Sequence, residues 1–413
     1  MTLVDAVRAR SPFHRQRWHG LPTSAWREFP VVDKARMMAD FDTFTTVGVR
    51  RDDAMRLALH AERHRDFSAT AGGCTVGLSS GTSGHRGLFL VSPAEQTRWA
   101  GTILARAIPD LRPGHRIAFF LRANSRLYER TGSLVRFRFF DLMQPLGDMI
   151  AALTAFAPHL IVAPPSLLGL LADARENGSL RVNPTRLISV AEVIEPQDRL
   201  RVERVFQVPV GEVYQCTEGL VGVTCRNGSM HVQEDVMVMQ AEPVTPDDPA
   251  RIAPVLTDLW RHAQPIVRYR LGDVLRLDAR QCACGSSWQR IAAIEGRQDD
   301  LCRFPQHDDS LRIVFPDVIR RMVLLADARI LEYRAHQESP GMLHLQLDVS
   351  EPAAFAEVAA RVHSLVAATL HEYGCRATGV SVSQGIAPQP AGAKRRRVSS
   401  SGWSAPTPPA VHR

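Results

Sequence analysis

LIVAPPSLLGLLADAREN, residues 160–177, joins a short apolar run rich in branched residues to a segment that reads as a helix. The same pair recurs at once: RLISVA (186–191) precedes EPQDRLRVERVF (195–206), and VGEVY (210–214) follows. Upstream, VGLSS (76–80) and RIAFFL (116–121) are further short apolar runs bounded by Gly, Pro or Ser, the mark of buried strands. Strands alternating with helices over residues 71–298 predict an α/β layer architecture.

Away from that centre the character changes on both sides. Residues 1 to about 70 read as helical and charged, with DKARMMADF (33–41) and RDDAMRLALHAERHRDF (51–67). After Gly296-Arg297, LEYRAHQESPGMLHLQLDV (331–349) reads as two strands around a Ser-Pro-Gly turn. PAAFAEVAARVHSLVAATLHEYG (352–374) reads as a long helix closed by Gly374, and GVSVSQGI (379–386) as a last strand. The expected organisation is a large domain over 1–297, a small α+β domain over 298–398, and a Ser/Pro-rich disordered tail over 399–413.

The 413 residues are 45% hydrophobic and 23% charged, an ordinary globular composition. The net charge is +7, and Lys394-Arg395-Arg396-Arg397 supplies four of those charges. No nucleic-acid signature accompanies that run, so a nucleic-acid partner is not expected. No apolar run of about 18 residues occurs, so no membrane span is expected. The N-terminal segment lacks the apolar stretch of a secretory signal. Seven cysteines in such a chain suggest a reducing cytoplasm, with thiols as metal ligands or core residues. A homodimer is left open as an assembly state.

Leu78-Ser79-Ser80-Gly81-Thr82-Ser83-Gly84 follows a segment that reads as a strand. Its glycines let the backbone turn sharply, and its N–H and hydroxyl groups can hold phosphate oxygens. A Ser/Gly-rich surface turn has the same composition. Neither G-x-x-x-x-G-K-[ST] nor G-x-G-x-x-G is present.

SSGTSG resembles the phosphate loop of the adenylate-forming superfamily of acyl-CoA synthetases, luciferases and peptide-synthetase adenylation domains. Further matches follow in the family's order. Val213-Tyr214-Gln215-Cys216-Thr217-Glu218 resembles Y-G-x-T-E; Thr257-Asp258-Leu259 and PIVRYRLGD (265–273) resemble T-D-L and R-Y-R-x-G-D; Gly296-Arg297-Gln298-Asp299-Asp300 resembles the G-R-x-D-D hinge motif. The resemblance covers roughly residues 30–398. The short chain and the CACG at 282–285 look most like phenylacetate-CoA ligases, with deazaflavin-coenzyme adenylyltransferases in the same branch.

The resemblance implies ATP-dependent activation of a carboxylic acid as acyl-AMP, in a large domain of mixed sheets and helices with a small domain rotating about Asp299. Ser79, Ser80, Gly81, Thr82, Ser83 and Gly84 would hold the β- and γ-phosphates. Glu218 would hold Mg²⁺, Thr217 would bond the α-phosphate, and Tyr214 would stack on adenine, lined also by Ala191 and Glu192. Asp273 would take the ribose hydroxyls and Arg297 the nucleotide, while Lys394 would bridge carboxylate and α-phosphate. Three departures stand out: His85-Arg86-Gly87 after the loop, Gln215 in place of glycine at the acyl pocket, and Ala393-Lys394 in place of Gly-Lys.

Cys225, His231, Cys282 and Cys284 supply four ligands of the kind zinc prefers, although C-x-C is tighter than the usual spacing and buried thiols are common in cores. The acyl acceptor expected first is coenzyme A, for an aromatic or related small acid. The alternatives are a carrier-protein phosphopantetheine thiol and transfer of AMP to a hydroxylated deazaflavin-type cofactor.

Overall fold

The computed structural model describes residues 2–79, 87–121, 135–376, 379–386 and 396–401. The phosphate-loop residues 80–86 and the basic residues Lys394 and Arg395 lie outside them. The chain forms two compact units. One spans Met1–Leu271 and Leu275–Ile294; the other includes Gly272–Val274 and Glu295–Pro390.

The larger unit opens with five helices: α1 (Leu3–Arg10), α2 (Pro12–Arg17), α3 (Lys34–Ala39), α4 (Phe41–Phe44) and α5 (Arg51–His64). Serine and acidic caps start several of them; the Ser11 side chain, for example, accepts the His14 N–H that opens α2. A three-stranded antiparallel sheet follows, β1 (Thr70–Ala71), β2 (Cys74–Leu78) and β3 (Leu88–Val91).

The alternating segment then builds as its sequence predicts: α6 (Pro93–Ala107), β4 (Arg116–Leu121), β5 (Arg136–Asp141), α7 (Leu146–Phe156), β6 (Leu160–Ala163), α8 (Pro165–Glu176), β7 (Arg186–Val190), α9 (Pro196–Phe206) and β8 (Val210–Cys216). Strands β5, β4, β6, β7 and β8 lie side by side and parallel. Both faces are covered, which is why these strands read as continuous apolar runs. Ala118, Phe120, Ile161 and Leu187 turn toward a core with α7, α8 and α9, while Ile117, Val162 and Ile188 turn toward one with α6.

The sheet continues antiparallel through β9 (Gly219–Thr224), β10 (Met230–Val232), β11 (Met237–Pro243), β12 (Arg251–Asp258), β13 (Tyr269–Arg270), β14 (Asp273–Asp278) and β15 (Arg290–Arg297). Its order is β11-β12-β14-β15-β10-β9-β8-β7-β6-β4-β5, with β13 on β12. Strands β10 and β15 meet through Met230↔Ile291 and His231↔Arg290.

The smaller unit contains β16 (Cys302–Pro305), β17 (Leu311–Val314), α10 (Pro316–Ala326), β18 (Ile330–Ser339), β19 (Met342–Val349), α11 (Phe355–Glu372), β20 (Gly379–Gln384) and β21 (Val398–Ser400). The Ser-Pro-Gly turn joins β18 to β19, with Gly341 at φ 81°. Tyr333, Ala335, Leu343, Leu345 and Leu347 form the buried face of the sheet β20-β19-β18-β21. Helix α11 is long and apolar enough for a membrane crossing by length and composition, but Val358, Val362, Val366 and Leu370 are fully buried at helical spacing inside this unit.

The segment 379–386 is not the last strand. Val398–Ser400 pairs in parallel with β18, and the Ser401 N–H donates to the Gln337 carbonyl at 2.8 Å. The tail expected to be disordered from Ser399 is therefore ordered through Ser401. Three residues of a Ser-rich stretch carry no periodic signal. They are held by neighbours far away in sequence, including an Arg397–Glu332 ion pair at 2.6 Å.

Candidate functional site

Parallel strands present their carboxyl ends along one edge, where loops can gather ligand groups. Val190 ends β7, and Ala191 follows with φ 67°, a left-handed backbone that a β-carbon disfavours. Beside it, Glu192 accepts the Ser166 N–H at the start of α8, 3.3 Å away. Strand β8 ends at Cys216, and Thr217-Glu218 turns the chain into β9. The Thr217 hydroxyl donates to the Glu218 carboxylate at 2.8 Å. Glu218 is buried, and burial followed by the Glu218 charge pushes the Tyr269 phenol well above its usual pKa.

A buried arginine fixes this turn. Arg261 donates to the Thr217 carbonyl at 2.9 Å and to the Leu90 carbonyl on β3 at 3.2 Å. Glu95, in the first turn of α6, accepts the backbone N–H groups of Ala263 and His262, the former at 2.9 Å. The Asp258 carboxyl close to this group is pushed up to about 6 by burial, against the attraction of Arg261. Sequence reasoning missed Arg261 and Glu95, because their partners lie far off in the chain.

The neck of the phosphate-loop segment is closed by Ser79. Its N–H donates to the Gly87 carbonyl at 2.7 Å, and its hydroxyl accepts the Gly87 N–H at 2.8 Å and the Lys34 ammonium at 2.9 Å. A β-carbon on Gly87 would sit 2.7 Å from the Lys34 side chain, so glycine makes room for that lysine. Ser80, Gly81, Thr82, Ser83 and Gly84 fall outside the described residues.

Tyr214 is 8% exposed and belongs to an apolar cluster with Val221, Met230 and Leu256. In the smaller unit, Asp273 and Arg297 form an ion pair at 3.6 Å. Gln298 N–H bonds the Gly272 carbonyl at 2.8 Å, and Gln298–Asp300 form one turn of 3₁₀ helix. Asp299 contributes its backbone to that turn. Arg396 pairs with the buried Asp300, so this part of the basic run is bonded rather than a solvated tail.

A cavity of about 100 Å³ opens between α6 and the sheet at this edge. Its walls are Ile103, Leu104, Ile117, Phe119, Phe137, Val162, Ile188 and Val190, with Ala191 and Gln215 at the motif end. No charged side chain lines it among the described residues. Nothing in the sequence marks it, because five strands and a helix each contribute one to four residues.

The four candidate metal ligands converge elsewhere: Cys225 from the turn after β9, His231 from β10, and Cys282 and Cys284 from the loop between β14 and β15. Their ligand atoms all lie within 4.8 Å of one another. Cys225 Sγ is 3.8 Å from Cys282 Sγ, and Cys284 Sγ is 3.5 Å from His231 Nε2. A tetrahedral zinc with sulfur at about 2.3 Å has edges of about 3.8 Å between ligands, so the spacing fits. His231 Nδ1 lies 3.0 Å from the Trp288 carbonyl; a proton there leaves Nε2 as the lone pair facing the thiols. Burial pushes Cys225 up, whereas the Cys284 N–H and neighbouring side chains hold Cys282 down to about 6.

No family model matches the sequence. The phenylacetate-coenzyme A ligase of Thermus thermophilus is 28% identical over 231 residues, 51% of this chain and 49% of that protein. The match thus spans about half the length of that relative. Among solved structures, a 2-hydroxyisobutyryl-CoA ligase bound to an acyl-AMP has a TM-score of 0.67 at 17% identity, covering 96% of this chain and 88% of that one. An anthranilate-CoA ligase bound to anthranoyl-AMP has a TM-score of 0.52 at 11% identity, covering 76% and 64%. The chain has the fold of the adenylate-forming ligases, and its sequence is similar to that of a phenylacetate-coenzyme A ligase.

Proposed function

We propose that this chain activates a small carboxylic acid as its acyl-AMP and passes the acyl group to the thiol of coenzyme A. A carboxylate oxygen attacks the α-phosphorus of ATP and the bond to pyrophosphate breaks. The thiol sulfur then attacks the acyl carbon, AMP leaves, and the thiol proton goes to solvent. Both reactants of the first step are anionic, so positioning and charge stabilisation do most of the work.

The observation that carries this reading is the cavity, lined by apolar side chains among the described residues, whose motif end is Ala191 and Gln215, two residues before Thr217-Glu218. An apolar acid body fits there with its carboxylate toward the polar turn. The buried Glu218 carboxylate suits Mg²⁺, which would neutralise phosphate charge. The Thr217 hydroxyl and the segment after Ser79 supply donors for phosphate oxygens, and Asp273 and Arg297 serve the ribose and the nucleotide. Lys394 bridges the carboxylate and the α-phosphate. The Cys225, His231, Cys282 and Cys284 set holds one zinc ion in a structural role, since a closed four-ligand site leaves no position for substrate.

The test is ATP–pyrophosphate exchange over a panel of acids, followed by product analysis with and without coenzyme A. Acid-dependent exchange and an acyl-CoA product are expected. Acid-dependent exchange with transfer only to a phosphopantetheinylated carrier would change the acceptor. Pyrophosphate release requiring a hydroxylated cofactor and no acid would replace the reaction with AMP transfer.

A further inference from the structure

Among the described residues, the cavity beside α6 is apolar on every side but one. Gln215 is the polar side chain among its described lining residues. Side chains alternate along a strand, so Gln215 shares the face of Val213, which also lines the cavity. Tyr214 and Cys216 go with the cluster on the opposite face. The Gln215 amide therefore points at the space an acid would fill.

That amide offers two donors and an acceptor oxygen, and no side-chain hydrogen bond holds it among the described residues. A primary amide set among apolar walls is costly unless something bonds it. Neighbouring backbone groups are committed to the strand pairing Gln215↔Leu220 and Tyr214↔Gly222. Gln215 is half-buried, so water serves the amide until an entering molecule offers a bonding group in its place.

We propose that Gln215 is a specificity-determining residue. The acid it selects has a compact apolar body bearing one uncharged hydrogen-bonding substituent, such as a hydroxyl or carbonyl. This rests on the acid-activation reading. A second ionised group is disfavoured by its desolvation, because no counter-charge lines the walls among the described residues. Size is bounded too. A dry cavity of about 150 Å³ accepts benzene, so about 100 Å³ suits a body no larger than one six-membered ring. Long acyl chains do not fit.

The experiment measures ATP–pyrophosphate exchange with matched acids: benzoate against its 2-, 3- and 4-hydroxy derivatives, butyrate against 2- and 3-hydroxybutyrate, and octanoate as a long chain. The wild-type protein is compared with Gln215→Met, which keeps length without the amide, and thermal midpoints check folding. We expect kcat/KM to favour a hydroxylated member over its parent by about tenfold or more, and Gln215→Met to narrow that ratio to near one. Preference for the parent in every pair overturns the proposal, as does a ratio that survives in Gln215→Met. Both results leave acid activation intact. If no acid supports exchange, the acid-activation reading itself fails and this proposal falls with it. The wild-type ratios decide the question even if the variant does not fold.

Discussion

Replacing Arg261 with methionine should separate the scaffold's contribution from that of the reacting groups. Arg261 is 8% exposed, and its guanidinium joins the Thr217 carbonyl at 2.9 Å to the Leu90 carbonyl at 3.2 Å. Methionine keeps the stem and removes both donors. Each hydrogen bond from a charged donor is worth about 1.5–3 kcal/mol, so the loss should be about 3 kcal/mol or more. Asp258 supplies a second signature. Its carboxyl is raised to about 6 from 3.8 in the unfolded chain. A raised carboxyl contributes stability that is present below the unfolded value and is lost as pH rises through the folded value. In the wild type that loss falls between about 4 and about 6; without the Arg261 charge it extends to higher pH. Urea unfolding across this range reads both effects. Exchange kinetics should show kcat reduced more than the KM for ATP, because the Thr217-Glu218 turn has lost its anchor. Arg261→Lys keeps the charge but not the fork, and should fall between. A stability loss below about 1 kcal/mol, with an unmoved pH profile, would refute the anchoring argument.

Three further outcomes are expected. Purified protein should carry about one zinc per chain, and Cys284→Ser should lower stability more than it alters acid preference; metal analysis finding none in well-folded protein would end that assignment. Lys394→Ala should cut acyl-AMP formation by about 10²–10³ while supplied acyl-AMP still converts to thioester; normal adenylation would remove Lys394 from the chemistry. Asp299→Pro fixes φ within the Gln298–Asp300 turn, and one half-reaction should survive far better than the other; equal loss of both would count against a hinge there.

The parallel half of the sheet was legible because LIVA and RLISV are short and rich in branched residues, and because intervening helices begin at Pro165 and Pro196. The metal ligands could be picked out by residue type, although only the fold brings Cys225 and Cys282 to 3.8 Å. Other features left no trace. Arg261 bonds Leu90 across 171 positions, and no local pattern encodes that distance. The burial of Tyr214 depends on residues from distant parts of the chain, Val221, Met230 and Leu256 among them, and its own motif does not encode it. Strand β21 owes its existence to pairing with β18 rather than to its own composition.

The junction of β10 and β15 gives the proposed zinc a second consequence. It joins β11, β12, β14 and β15 to the rest of the large sheet, yet its register spans only Met230↔Ile291 and His231↔Arg290 among the described residues. The cysteine and histidine ligands straddle that seam, and His231 reaches the Trp288 carbonyl across it. An ion bound there would act as a rivet. Stripped of metal, the sheet should part at this line before either half melts, and amide exchange should quicken first along β10 and β15.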